Sequence, residues 1–272
     1  MSYKNIIDQH IHTDNSFDGN HSAMFLCETA CMQGLRAVAF TDHIEIDRYL
    51  RDNFDRTAVQ SYFEAAKARS AFRGKLLVCC GVELGQPVYD IPTAEKLTSS
   101  MQYDIVIGSV HNLRNMPDFC DINYDEPGCD CYKLLEEYYN EELLLAQWGG
   151  FDTLAHLTYP LRYMIGNYGK MLDLSRFDGI IDEILKTLAA NDKALEINTS
   201  GLRQPIGQTM PDESIVQRFY DLGGKYITIG SDAHYAEHIG KGIEQGLEIA
   251  KNCGFKDITI FQTRYPTVIP IE

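Results

Sequence analysis

NIIDQHIHTDNSFDG, residues 5–19, governs how the rest of the chain is read. Asn5 to Thr13 is a β-rich run that ends in His10 and His12. Side chains two apart on a strand share a face, so these two imidazoles and Asp8 aim at one volume. An acid-rich loop, TDNSFDG, follows at once. The fold then depends on whether other strands end in the same way.

Six further runs are short and β-rich: AVAFTDH (37–43), LLVCCGVEL (76–84), YDIVIGSVH (103–111), FDTLAHL (151–157), ALEINTS (194–200) and YITIGSDAH (226–234). Each reads as a buried strand. Helical patterns lie between them, the clearest from Phe177 to Asn191. There Phe177, Ile180, Ile181, Ile184, Leu185 and Leu188 recur on one helical face, and Ser175 with Asp178 has capping-box spacing. A second helix is expected over Cys131 to Trp148, stopping at Gly149-Gly150, and a third over Gly240 to Asn252. Alternating strands and helices imply a parallel α/β sheet, open or closed into a barrel. No linker or repeat interrupts the pattern, so residues 1–272 are expected to form one domain. ITIFQTRYPTVIPI (258–271) is expected to add a strand and a tail, and the aperiodic segment 112–130 to form a long functional loop.

Ionisable residues gather at the C-terminal ends of these runs: Asp8, His10 and His12, then Asp42 and His43, Glu83, His111, His156, and last Asp232 and His234. In a parallel sheet or barrel those ends share the face where ligands bind. Imidazoles and carboxylates without thiolates suit zinc, manganese or iron. Buried together without an ion, they would carry a heavy desolvation cost. His21 and His238 lie off the pattern and read as surface or neighbouring residues.

The chain carries 24 basic and 39 acidic residues, a formal charge of −15. That balance disfavours nucleic acid, whose binding rests on Lys and Arg. No apolar run reaches the length of a membrane span and no signal segment is evident, so no membrane partner and a cytoplasmic location are expected. The eight cysteines form no CxxC pair and are expected to stay reduced. Cys27 and Cys31 join Met24 and Leu35 at helical spacing as core residues, and Cys120, Cys129 and Cys131 are not expected to hold zinc.

As an ordered set, DQHIHTDNSFDG (8–19), TDH (41–43), GVEL (81–84), GSVH (108–111), LAHL (154–157), INTSGLR (197–203) and GSDAH (230–234) resemble the polymerase and histidinol phosphatase (PHP) superfamily. Within it the set is similar to the bacterial histidinol-phosphatase branch, over nearly the whole chain. The resemblance implies a distorted seven-stranded (β/α) TIM-like barrel of the PHP type and three divalent metal ions. The first metal would take His10, His12, Glu83 and Asp232. The second would share Glu83 and add His111 and His156, and the third would take Asp18, His43 and His234. Asp18 enters through the resemblance alone; by spacing it is a turn residue in SFDG.

The implied reaction is hydrolysis of a small phosphate monoester, L-histidinol phosphate in histidine biosynthesis. Glu83 would bridge two metals that activate a shared water. Arg203, with Arg162 as second candidate, would bind phosphate and stabilise its charge. Asn198 and Ser200 would position either phosphate or Arg203. Acids of the 112–130 loop, or Glu45 and Asp47, are read as solvated surface or as partners of the substrate ammonium. The alternative within the superfamily is another substrate: a nucleotide bisphosphate, phosphotyrosine or a nucleic-acid end.

Overall fold

The computed structural model describes residues 3–272. The β-rich runs become strands β1 (Ile7–Ile11), β2 (Ala37–Phe40), β3 (His43–Glu45), β4 (Leu77–Gly85), β5 (Ile105–Ser109), β6 (Thr153–Leu154), β7 (Ala194–Asn198) and β8 (Ile227–Gly230). Phe40 lies opposite Cys80 and His43 opposite Glu83 in one continuous register. β2 and β3 are therefore one strand broken at Thr41-Asp42, and seven strands form the wall.

These strands run parallel in the order β1-β2-β4-β5-β6-β7-β8, with β3 also on β4. Between β8 and β1 the ladder shrinks to one bridge, Ile11 with Ala233. Asp232 N donates to His10 O at 2.8 Å and His12 N to Ala233 O at 2.9 Å. The barrel is nearly closed, and its weakest seam lies between two histidine-bearing strand ends. Nearly every strand residue of this wall is buried, as expected when helices cover a parallel sheet.

The covering helices are α1 (Ala23–Met32), α2 (Phe54–Ala71), α3 (Ile91–Ser100), α4 (Cys131–Trp148), α5 (Asp178–Ala190), α6 (Glu213–Asp221) and α7 (Ile243–Asn252). α4 has the expected bounds: Asp130 caps Tyr132 N and Lys133 N, and Gly149, at φ 63°, ends it in the left-handed region. Two boundaries differ from expectation. α5 starts one residue late, after a 3-10 turn over Leu174–Phe177 that Asp173 caps by accepting from Ser175 N; Ser175 caps no helix. α7 starts at Ile243 because Gly240 and Gly242 adopt φ 70° and 80°, which no helix accepts.

Met24 is not core: it is 42% exposed, whereas Cys27 and Leu35 are buried and Cys31 is half-buried. The C-terminal segment forms a hairpin instead of one strand and a tail. β9 (Asp257–Gln262) and β10 (Tyr265–Pro270) pair antiparallel around Thr263 and Arg264, both at positive φ. Arg264 pairs with Asp152 at 2.9 Å and donates to Gly150 O at 2.8 Å, which ties the hairpin to the start of β6. The 112–130 loop is pinned by Phe119 and Tyr124, each almost fully buried. No helix among the described residues is long and apolar enough to cross a membrane.

Candidate metal centre

Glu83 sits fully buried near the C-terminal end of β4, and its two carboxylate oxygens face different histidines. Oε2 lies 2.9 Å from His43 Nδ1, 3.2 Å from His10 Nε2 and 3.6 Å from His12 Nε2. Oε1 lies 3.1 Å from His111 Nε2 and 3.0 Å from His156 Nε2. Asp232 joins the first pair, with Oδ1 3.4 Å from His12 Nε2 and 3.9 Å from His10 Nε2. Next to it, His234 Nε2 is 3.1 Å from Asp18 Oδ2 and 3.5 Å from His43 Nε2, and Asp18 Oδ1 is 3.8 Å from that same His43 atom. The structure thus brings all nine expected donors into one mouth, in three adjoining groups.

Their chemistry suits divalent ions. Donors about 2.1 Å from a tetrahedral ion lie about 3.4 Å from one another, which is the spacing of these atoms. His10 Nε2, His12 Nε2, His43 Nδ1 and Glu83 Oε2 are buried and crowd one another at 2.9–3.6 Å without forming a well-directed hydrogen bond, a costly state that a cation relieves. Burial drives His12 well below the usual imidazole range, and His234 and His43 push it the same way. Burial opposes charge on Glu83, yet His10, His43 and His111 hold its carboxyl well below the usual range. A neutral imidazole beside a firmly ionised carboxylate is a ligand pair.

A second layer fixes which nitrogen faces inward. His10 Nδ1 pairs with Glu196 at 2.7 Å, and His111 Nδ1 with Glu45 at 3.0 Å. His12 Nδ1 pairs with Ser16 Oγ at 3.2 Å, and Ser16 in turn donates to Asp42. In each case Nε2 is left for the mouth. Sequence reading missed Glu196 and the role of Glu45. Glu196 was visible as the one acid inside the apolar strand ALEIN, and Glu45 as the residue two beyond His43 on the same face. Glu45 is taken up by His111 and Gln86 and is not available to a substrate.

Asp8 and Asp42, grouped with the donors by sequence, have other work. Asp8 accepts from Ser231 N and Gly240 N, each at 2.8 Å, and braces the β8 turn. Asp42 accepts from Thr13 N, Thr13 Oγ1 and Ser16 Oγ and shapes the loop that presents Asp18. His21 lies beside Phe25 and His238 beside Tyr235; neither joins the donor groups. None of the candidate metal groups among the described residues contains a cysteine.

Two close fits hold β8 in place. Asp232 itself adopts φ 53°, a strained conformation that aspartate tolerates better than most. A Cβ on Gly230 would come within 2.3 Å of His10 Cβ and 2.5 Å of Glu196 Oε1, so only glycine lets β8 pass the first histidine.

Arg162 walls the mouth. Its Nη2 donates to Ser200 Oγ and, at 3.0 Å, to Asp232 Oδ2, and its Nε has no partner. Ser200 Oγ donates to Asn198 Oδ1 at 2.6 Å. Of the two roles expected for Asn198 and Ser200, positioning phosphate or Arg203, the contacts show neither directly; both residues lead instead to Arg162. Arg203 is held on the turn after β8, with Nη2 donating to Ser231 O at 2.8 Å and Nη1 buried without a partner.

Comparison with known proteins finds one family. A PHP domain family model matches residues 8–200. A probable histidinol-phosphatase of Thermotoga maritima is 32% identical over 265 residues, covering 97% of this chain and 99% of the relative. The histidinol-phosphatase of Lactococcus lactis is 27% identical over 261 residues, covering 94% of each chain. The crystal structure of histidinol phosphate phosphatase from L. lactis, complexed with zinc, L-histidinol and phosphate, superposes with a TM-score of 0.81 at 25% identity, over 96% of this chain and 98% of that one.

Proposed function

The chain belongs to the PHP domain family, and from that premise we infer that it is a histidinol-phosphatase. It hydrolyses L-histidinol phosphate with water to L-histidinol and inorganic phosphate, as its relatives are named for doing. The observation that carries the reading is Glu83, whose Oε1 faces His111 and His156 while its Oε2 faces His10, His12 and His43. Such a carboxylate could be shared by two ions. We assign three divalent ions to the three donor groups, with zinc, the ion of the L. lactis structure, first and manganese or iron as alternatives. We also read residues 1–272 as one domain, because Asp232 and His234, beyond the matched segment, complete the donor set.

Bound there, such ions would supply a water acidified towards a pKa of about 7 and neutralise phosphate charge. The protein's own residues do the rest. Glu83 sets the spacing of the first two donor groups. Arg162 presents its unpartnered Nε to phosphate while Ser200 and Asp232 fix the rest of its guanidinium. We assign Arg203 to the phosphate through its orphan Nη1. The bond from phosphorus to the leaving oxygen breaks as the water oxygen bonds to phosphorus, and the proton that the water gives up is taken up by the leaving alkoxide. We place the enzyme in the cytoplasm, where its eight free thiols remain reduced.

The test is kcat/KM for L-histidinol phosphate against p-nitrophenyl phosphate with zinc or manganese restored. A preference of about a thousandfold is expected, some 4 kcal/mol of transition-state discrimination. Equal, feeble rates on both would remove the substrate assignment.

A further inference from the structure

The donor mouth opens into a cavity of about 110 Å³, walled by Phe17, Asp118, Tyr159 and Arg162 together with donor residues. That is well below the several hundred Å³ of a pocket enclosing a whole organic ligand. The phosphate end fits there, and the organic end must lie along the rim. Two wider cavities adjoin: one of about 750 Å³ shares Asp118, and one of about 660 Å³ shares Phe17. These two residues stand where the narrow cavity widens.

Three carboxylates wall the narrow cavity: Asp18, Asp118 and Asp232. Asp18 and Asp232 belong to the donor groups, which leaves Asp118. Its Oδ1 accepts from Tyr159 Oη at 2.9 Å and from Cys120 N at 2.8 Å. The Tyr159 ring packs on His156 and His111, with centroids 5.0 and 5.2 Å apart. Asp118 is thereby held at a fixed place relative to the donors. In L-histidinol phosphate the ammonium sits on the carbon next to the phosphate-bearing CH2. With phosphate in the mouth, that ammonium needs a carboxylate at its rim.

Phe17 is 68% exposed and lies against His43, with ring centroids 5.2 Å apart and planes at 22°. Its loop is tied down by Asp42 through Thr13 and Ser16. A Cβ on Gly19 would come within 1.8 Å of Thr13 O, so the loop is closed tightly behind the ring. A rigidly presented aromatic face at a ligand entrance is a platform for a planar ring.

We propose that Asp118 binds the substrate ammonium and Phe17 stacks on its imidazole, so that these two residues carry the selectivity for the organic half. The assignment rests on the histidinol-phosphatase reading and adds the residues that enforce it. Neither residue belongs to the metal donors.

Three phosphate esters test it: L-histidinol phosphate, 3-(imidazol-4-yl)propyl phosphate, which lacks the ammonium, and 2-aminopropyl phosphate, which lacks the ring. Asp118→Asn keeps an acceptor for Tyr159 and Cys120. It should lower kcat/KM for L-histidinol phosphate about a hundredfold and change the ester without the ammonium by less than about threefold. Phe17→Leu should cost about tenfold on both imidazole esters and spare 2-aminopropyl phosphate. Calorimetry with L-histidinol should show the matching losses of affinity at unchanged zinc content. If Asp118→Asn slows both imidazole esters equally, or neither, the assignment is overturned while the parent's preference for L-histidinol phosphate still stands. A parent enzyme with no such preference would overturn the substrate reading and this assignment together.

Discussion

Glu196 shows how much of the site rests on residues that never reach the mouth. One oxygen pairs with His10 Nδ1, and the other accepts from His156 N at 2.9 Å and Asn198 Nδ2 at 3.1 Å. A single buried carboxylate thus orients one donor, tethers a second and starts the chain that holds Arg162. Glu196→Gln should weaken zinc binding about ten- to a hundredfold, read by competition with a chromogenic chelator. An unchanged affinity would mean that packing alone orients His10. At this scale the donors at the strand ends were legible because like residues recur at like positions. Asp18 was not, since a turn aspartate looks the same with or without a ligand. Nor could pattern separate Asp8 and Asp42, which bind backbone amides and hydroxyls, from carboxylates that face the mouth. Both kinds sit at strand ends, and only the partner differs.

Helix α4 was legible from its two ends, because a capping aspartate and a left-handed glycine are local chemistry. Its inner face was less so. Glu142 lies there, fully buried beside Tyr138, with neither oxygen hydrogen-bonded. Burial pushes its carboxyl from 4.5 up to about 8, against the opposing influence of Tyr138 and His111. Between those values the folded chain keeps a proton that the unfolded chain releases, so this group makes stability fall as pH rises from about 4.5 to about 8. Urea melts at pH 6 and pH 9 should show Glu142→Gln gaining about 2 kcal/mol on the parent over that interval. Parallel losses in both proteins would contradict it. The start of α7 and the C-terminal hairpin escaped the sequence for another reason. Their geometry depends on positive φ at Gly240, Gly242, Thr263 and Arg264, and for the last two residue types that conformation is set by tertiary contacts.

Across the whole molecule, the near-closure of the barrel brings the first and last strands of the wall together. His10 comes from β1, His12 from the residue just after it, and Asp232 and His234 from the turn after β8, joined across the Ile11–Ala233 bridge. The strand count and the parallel order could be read from hydrophobic runs alternating with helices. Closure could not, because composition does not distinguish an open parallel sheet from a barrel, and the resemblance supplied it. With a formal charge of −15 and buried carboxylates around its mouth, the chain is built to be completed by cations. The direct measurement is phosphate release from L-histidinol phosphate by chelator-stripped enzyme, titrated with zinc and plotted against ions bound per chain. The account predicts negligible turnover without metal and a plateau near three ions per chain. Undiminished turnover in the stripped protein would contradict a metal-dependent phosphatase, and a plateau at one or two ions would contradict the three-ion centre.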